Sequence, residues 1–558
     1  MKRRTLLAAG AAATFVLLAL PATSATADNG HDALHDVKHI VVIYEENHSF
    51  DNLYGGWEGV NGLKKADAAH TTQVNVAGTP YDCLKQNDVN LTTPPLAGTC
   101  ADGTAGTPGG AFSSAFTNAP FSIDSSIAAT DTTCPPPLQA FSFPNGVLKG
   151  AGLPGGCTRD LVHKFYQEQY QIDGGKQDRY VTGSDAIGLT MGHYDTKALP
   201  IYEYLHSKGA PRYAVEDNFF QAAFGGSFLN HQWLIAARTP EYPGAPDTLH
   251  SIIGADGSPA NYPLHPSTGL RDGALTVARN ADGSCPTPAK VCGEYAVNTM
   301  QPPFAPFSTF GGQLKVAQTY DTIGDRLSAK GVDWGWYAGG WDDATGNTRG
   351  AGYTNGPGPT CANPNASPKA YPVCPDNVFQ YHHQPFNYFA NYAPGTAARA
   401  AHLLDEQAFV ASAKAGTLKP VSFVKPLGEE NEHPGYASES NGSDHLVDLI
   451  KAIVNGPDGD NTMIVVTYDE FGGQWDHVSP PTGKGVSDVW GPGTRVPALV
   501  ISPELPKRFS VDSASHDTTS ILATIEHRFH LQPLTSRDAS VNDLTTAFRE
   551  RGRGHSDD

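Results

Sequence analysis

Long hydrophobic runs are nearly absent from this chain. The longest, Leu6 to Leu20, has 15 residues, short of the roughly 20 that a helix needs to cross a bilayer. No stable membrane span is therefore expected. Basic residues are the minority charge, 38 Lys and Arg against 57 Asp and Glu, and they form no stripe. A nucleic-acid partner is not expected from such a balance. The formal net charge of −19 favours solubility. None of the eight cysteines stands in a C-x2-C pair, which speaks against a cysteine-based zinc site. There is no convincing internal repeat.

The N-terminus is informative. Lys2, Arg3 and Arg4 precede the short apolar run, and Ala25-Thr26-Ala27 follows it. This order reads as a secretory signal over residues 1–27, cleaved before Asp28. Arg3-Arg4-Thr5-Leu6-Leu7 also fits a twin-arginine signal. A secreted, periplasmic or extracellular location follows. An even cysteine count in an exported chain predicts disulfides. The cysteines fall in four close sequence pairs, which predict 83–100, 134–157, 285–292 and 361–374. All lie in loop-rich stretches, 58–160, 239–315 and 339–378. The chain carries 59 glycines and 43 prolines, so ordered loop is expected to be extensive. These stretches are expected to be insertions on a single α/β domain spanning 28–549, with a disordered tail over 550–558.

Apolar runs alternate with helical patterns, which predicts an α/β layered fold. Val37 to Tyr44, Val332 to Tyr337, Pro420 to Val424, Thr462 to Tyr468 and Val496 to Ile501 read as strands. Thr322 to Lys330, Asp444 to Val454 (with Ser443 as N-cap) and Ser520 to Phe529 read as helices.

Two of the strands run into clustered metal-binding side chains. One leads into Glu45-Glu46-Asn47-His48-Ser49-Phe50-Asp51-Asn52, the other into Asp469-Glu470-Phe471-Gly472-Gly473. Ligands collect outside the carboxyl ends of strands in open α/β sheets, and carboxylate and amide oxygens suit a divalent cation. A third cluster runs from Asp217 to His231 and contains Gly225-Gly226-Ser227. The glycines permit a sharp turn and close approach of a ligand. Ser227 then opens a helical pattern, where N–H groups favour an anion such as phosphate. Several histidines lie in polar surroundings: His163, His193, His382, His383, His433 and His477. Histidine suits acid/base work and phosphate binding.

Six of these segments, in order, resemble a bacterial phosphoesterase family that contains respiratory-burst-type acid phosphatases and non-haemolytic phospholipases C. They are Glu46-Asn47-His48-Ser49-Phe50-Asp51-Asn52, His163-Lys164-Phe165-Tyr166-Gln167-Glu168-Gln169, Gly225-Gly226-Ser227 with Asn230, His382-His383-Gln384-Pro385, Asn431-Glu432-His433-Pro434, and Thr467-Tyr468-Asp469-Glu470 with Trp475-Asp476-His477. The resemblance spans about residues 37 to 530. It implies an alkaline-phosphatase-like fold, a central mixed β-sheet sandwiched by helices. By the same resemblance, Glu46, Asn47, Asp469 and Glu470 match positions that hold one metal ion. Ser227 matches the nucleophile, whose oxygen also contacts the metal. His163, His382, His383 and His433 match catalytic histidines around the phosphate. Asn230, Asp476 and His477 sit in matching motifs and are assigned to substrate binding; Asp51 sits in one without an assigned role.

The chemistry this implies is phosphoric ester hydrolysis through a phosphoserine. A serine hydroxyl is a weak nucleophile at neutral pH and needs activation, which one divalent metal ion supplies. Oxygen ligands leave calcium, manganese, iron and zinc open. The expected partners are small phosphate esters or phospholipid head groups; the sequence does not give an oligomeric state. Phospholipase C relatives commonly carry threonine at the nucleophile position and Asp-His-Thr-Ser near the C-terminus, and many add C-terminal β domains. Here Ser227 and Asp517-Thr518-Thr519-Ser520 stand instead, and the chain ends soon after Phe529. A broad-specificity acid phosphatase is therefore the leading expectation, with phospholipase C the alternative. A secreted binding protein on a degenerate hydrolase scaffold is the alternative of another class. The intact set of Glu46, Asn47, Ser227, Asp469 and Glu470 argues against it.

Overall fold

The structure, a computed structural model, describes residues 34–86, 96–103, 111–124, 158, 160–246, 274–277, 293–308, 311–353, 379–435 and 439–549. The signal segment 1–27, the tail 550–558 and the expected cysteine pairs 134–157, 285–292 and 361–374 lie outside these residues. Cys83 and Cys100 are joined by a disulfide, as their spacing predicted.

Eight strands form one sheet: β1 (His39–Glu45), β2 (Tyr213–Glu216), β3 (Trp334–Ala338), β4 (Leu403–Asp405), β5 (Val421–Lys425), β6 (Thr462–Tyr468), β7 (Ala498–Ile501) and β8 (Phe509–Asp512). Their order is β4-β3-β5-β1-β6-β7-β2-β8. β1, β5 and β6 are buried almost end to end. Such runs of Val, Ile and Met without alternation are what a strand covered on both faces requires. Only β7 runs against its neighbours. The sheet is thus mixed, and the carboxyl ends of the other seven strands point to one edge. β7 begins two residues later than the apolar pattern suggested, because Pro497 has no N–H to give to a ladder.

Helices cover both faces. Those that matter here are α1 (Phe165–Ile172), α2 (Pro200–His206), α3 (Ser227–Ala236), α4 (Ile323–Lys330), α5 (Glu406–Ala415), α6 (Glu439–Val454) and α7 (Thr519–Phe529). Successive residues of a strand point to opposite faces. Tyr44 of β1 meets His231 of α3, ring centroids 4.9 Å apart. The next residue, Glu45, turns to the other face, towards His445 of α6 and Glu406 of α5. Thr322 caps α4 by accepting from Asp325 N. Ser443 does not cap α6: the helix already contains Glu439, and Ser443 Oγ accepts from Ile201 N at 3.0 Å. A buried serine here satisfies an orphan N–H in the first turn of α2.

Candidate active site

Three loops and one helix end meet at the carboxyl edge of the sheet. β1 ends at Glu45, and the chain turns through Asn47, which adopts φ 61°, a left-handed conformation that asparagine tolerates better than most residues. The turn is held by Asn47 N donating to Asp469 Oδ1 at 3.0 Å. On the neighbouring strand, β6 leads directly into Asp469 and Glu470. Gly472, at φ 63°, lets this second loop lie against the first; a Cβ there would come within 2.1 Å of Asn47 O. Strand order therefore brings the two sequence clusters together.

Ser227 arrives from the opposite side. It is the first residue of α3, behind Gly225 at φ 96°, where a Cβ would press to 2.7 Å from Phe165 N. Two side chains shape this approach. Glu168 Oε2 accepts from Gly225 N at 2.6 Å and from Gln221 Nε2 at 2.9 Å. Asn230 Oδ1 accepts from Ala223 N at 3.0 Å, and its Nδ2 donates to Ala223 O and Gly225 O at 3.0 and 3.2 Å.

The result is a serine oxygen ringed by oxygens. Ser227 Oγ lies 3.1 Å from Glu46 Oε2, 3.3 Å from Asn47 Oδ1 and 3.4 Å from Glu470 Oε1. Asp469 is in contact with the same hydroxyl. The Asn47 amide is oriented by two imidazoles: its Nδ2 lies 2.9 Å from His433 Nε2 and 3.4 Å from His163 Nε2. His433 Nδ1 faces Pro434 O at 2.6 Å, so that nitrogen carries the proton and Nε2 accepts. His163 Nε2 also lies 3.4 Å from Glu470 Oε1. His383 Nε2 approaches Glu46 Oε2 at 3.4 Å, and His382 packs edge-on against His383 with centroids 4.4 Å apart.

Two residues that the sequence reading left unassigned complete the group. Lys425, the last residue of β5, places Nζ 2.7 Å from Glu46 Oε1 and 3.0 Å from Tyr44 O. His231, one turn after Ser227, puts Nδ1 2.8 Å from Ser227 O and stacks on His383 at 4.8 Å. Its Nε2 lies 3.7 Å from Glu46 Oε1.

The electrostatics of this cluster are unbalanced. Glu46, Asp469 and Glu470 are all fully buried. Burial pushes each carboxyl upward. Glu46 is held back by Lys425, whereas Asp469 is pushed further by Glu46, and Glu470 by Asp469. Burial also drives the histidines towards the neutral form: His382 falls to about 3, and His231, His383 and His433 fall well below the usual value. Ionised, the three carboxylates would face a single ammonium and leave two negative charges in excess, which is why burial without a cation favours their neutral forms. Asp469 Oδ2 and His383 Nε2 are buried without any hydrogen-bond partner. Hard oxygen donors with such a surplus fit one divalent cation. On the Oε1 side of Glu46 the ammonium already supplies charge, so the fit is on the Oε2 side, among Ser227, Asn47, Asp469 and Glu470.

Other residues singled out from the sequence lie elsewhere. Asp476 and His477 join Asp51 and Arg495 in a separate buried network. Arg495 Nε lies 3.1 Å from Asp476 Oδ1, Arg495 Nη2 lies 3.2 Å from Asp51 Oδ1, and His477 N donates to Asp51 Oδ2 at 2.8 Å. Asp51 N in turn donates to Asp476 Oδ2. None of these contacts reaches Ser227. The network instead ties the loop after β1 to the loop after β6. His193 sits at a short parallel pairing with Ser122.

The chain is similar to several known proteins. Phospholipase C A of Mycobacterium tuberculosis is 24% identical over 555 residues, covering 93% of this chain and 78% of its own. The non-hemolytic phospholipase C of Burkholderia pseudomallei is 34% identical over 165 residues, covering 24% of this chain and 23% of its own. Among solved structures, a protein in the alkaline phosphatase superfamily from Vibrio parahaemolyticus matches at 14% identity and a TM-score of 0.22, over 40% of this chain and 51% of that one. Among the described residues, no helix is long and apolar enough to cross a membrane. The Phosphoesterase family profile matches residues 37–532; the chain belongs to that family and is a phosphoric ester hydrolase.

Proposed function

We propose that the cluster around Ser227 is the catalytic centre of a divalent-metal-dependent phosphatase that acts on phosphomonoesters through a phosphoserine. The observation that carries this reading is the ring of Glu46, Asn47 and Glu470 oxygens 3.1–3.4 Å from Ser227 Oγ. Glu46, Asn47, Asp469, Glu470 and Ser227 would hold the ion. When bound, it would polarise the serine hydroxyl and offset charge on the phosphoryl oxygens.

The chain's own groups then have distinct tasks. Ser227 Oγ attacks phosphorus in line, the bond to the ester oxygen breaks, and a proton goes to the leaving alcohol. Water afterwards cleaves the Oγ–P bond and releases phosphate. The first turn of α3 presents N–H groups to the anion. His382 and His383 bind phosphoryl oxygens through their N–H groups, while His163 and His433, whose Nε2 atoms face the Asn47 amide, orient that side chain. They are neutral in the free protein because burial disfavours their charge. An arriving phosphate dianion reverses that preference, so one of them can carry the proton that the leaving group takes. Lys425 fixes Glu46, and Asn230 and Glu168 hold the loop that aims Ser227.

The choice of phosphomonoesters rests on Ser227 and on Thr518. The latter stands where the phospholipases that this chain resembles carry histidine; its hydroxyl accepts from Ala222 N at 3.1 Å, inside the Ser227 loop. Phospholipase C activity is the second reading, favoured by the names of the relatives. With either goes a single catalytic domain over 28–549, exported by the segment 1–27.

The test is hydrolysis of a chromogenic phosphomonoester and of phosphatidylcholine by the pure, metal-loaded protein. The proposal expects turnover of the first, lost with chelator and in Ser227→Ala. Turnover of phosphatidylcholine alone would hand the site to the second reading. Activity that survives Ser227→Ala would reject the serine in both.

A further inference from the structure

A second group of buried acids lies on the same edge of the sheet, away from Ser227. β2 ends at Glu216 and β8 at Asp512; the two strands are parallel, and register pairs these two residues. Four residues after Asp512, His516 begins a short strand beside Phe219. β2 and β8 stand two and three strands from β6, roughly 10–14 Å along the sheet.

Glu216 is the unsatisfied member of this group. His516 Nε2 lies 3.6 Å from Glu216 Oε2 and 3.7 Å from Asp512 Oδ2. Both distances are too long for hydrogen bonds. They suit two ligands of one ion, since donors about 2.0–2.3 Å from a metal stand on the order of 3–4 Å apart. The side chains of Glu216 and His516 are 0% exposed. Neither carboxyl oxygen of Glu216 has a hydrogen-bond partner, nor has Asp512 Oδ2, nor the adjacent Asp217 Oδ1. No lysine or arginine among the described residues forms an ion pair with Glu216 or Asp512. His516 is oriented from behind, with Nδ1 3.2 Å from Asn542 O. A proton on Nδ1 leaves the Nε2 lone pair facing the two carboxylates, an arrangement that ligand histidines commonly adopt. Nε2 meets Thr546 Oγ1 at 3.0 Å, a hydrogen bond that a bound ion would replace.

We propose that Glu216, Asp512 and His516 hold a second divalent cation, separate from the Ser227 centre. Two carboxylates with one imidazole favour manganese or zinc over calcium. The ion clamps β2, β8 and the strand at His516, and β2 leads through Asp217 into the loop that carries Ser227. Its work is structural: it fixes the base of that loop.

The experiment counts manganese in the full chain after loading with Mn(II) and desalting, and follows thermal unfolding. About two ions per chain are expected in the wild type, and about one in Glu216→Gln and in Asp512→Asn. Both variants should keep the ion of the Ser227 centre, because the two centres share no ligand. In an Asp469→Asn background, added Mn(II) should still raise the unfolding midpoint, and Glu216→Gln should abolish that rise. A wild type that binds no ion, or a Glu216→Gln protein that retains the wild-type count and the midpoint shift, overturns the second site. Failure of Asp469→Asn to lower the count bears on the Ser227 centre alone. Asp512 is partly exposed, 14% by side chain, so its variant keeps the test available if Glu216→Gln does not fold.

Discussion

Lys425 Nζ lies 2.7 Å from Glu46 Oε1, with 1% and 0% of the two side chains exposed. The pair joins the ends of adjacent strands, β5 and β1, in the wall of the proposed catalytic centre. An ammonium with one carboxylate partner, beside two further buried carboxylates, limits the charge that the site must shed.

Removing that ammonium is expected to be costly. Lys425→Met leaves Glu46 buried without its cation, a change that typically lowers stability by about 3–5 kcal/mol. The metal-free protein should show a lower thermal midpoint, and turnover should fall with it. Equal midpoints for variant and wild type would show that the pair does not hold Glu46.

Asn230 separates positioning from chemistry. Its side chain touches the loop before Ser227 and has no hydrogen bond to the carboxylates. Asn230→Ala should lower kcat about tenfold or more, equivalent to about 1.4 kcal/mol, with KM and bound metal unchanged. Steady-state kinetics beside metal analysis would check this. Loss of metal in the variant would place Asn230 closer to the ion than the contacts indicate.

Asp469 offers the complementary case. Its Oδ1 accepts from Asn47 N, while Oδ2 is buried without a partner. Asp469→Asn should weaken metal binding at the Ser227 centre by at least about tenfold and remove most activity at limiting metal. Titration with Mn(II) would measure the affinity, and excess metal should restore part of the turnover.

Glu526, near the end of α7, predicts a pH dependence of stability. Burial, then Asp538, pushes its carboxyl from 4.5 up to about 9. A raised carboxyl binds its proton more tightly in the folded state. The stabilisation is therefore complete below pH 4.5 and is lost progressively as pH rises towards 9. Glu526→Gln keeps a neutral group at every pH. Its midpoint should match the wild type in acid and exceed it near pH 7, by on the order of 2 kcal/mol in stability. Thermal unfolding across that range would test the sign; a variant that is less stable near pH 7 contradicts it.

Much of the proposed centre was legible because its residues follow strong local signals. Glu46 and Asn47 stand directly after a long apolar strand, as do Asp469 and Glu470. Ser227 stands after a glycine pair at the start of a helical pattern. Lys425 had no such signal: a lysine closing a short apolar strand looks like an ordinary solvated strand end. Only the position of β5 beside β1 turns it inward. His231 was visible one turn after Ser227, but α3 is buried all round, so no polar stripe marked one face as special. Arg495 was missed for a related reason. Its partners Asp51 and Asp476 are 444 and 19 residues away, and no spacing in the chain relates them. Ser443 misled because a serine before an apolar run reads as a cap, whereas its hydroxyl serves a different helix.

The amino-acid sequence alone determined five of the eight sheet strands (β1, β3, β5, β6 and β7), the side chains that follow β1 and β6 and the class of chemistry, because periodicity, strand length and residue type are local properties. The tertiary structure decided which strand ends are neighbours. The order β5-β1-β6 gathers Lys425, Glu46 and Asp469 at one edge, and the pairing of β2 with β8 creates the second acidic group. Electrostatic balance depends on distance and burial, and both arise only when segments hundreds of residues apart pack together.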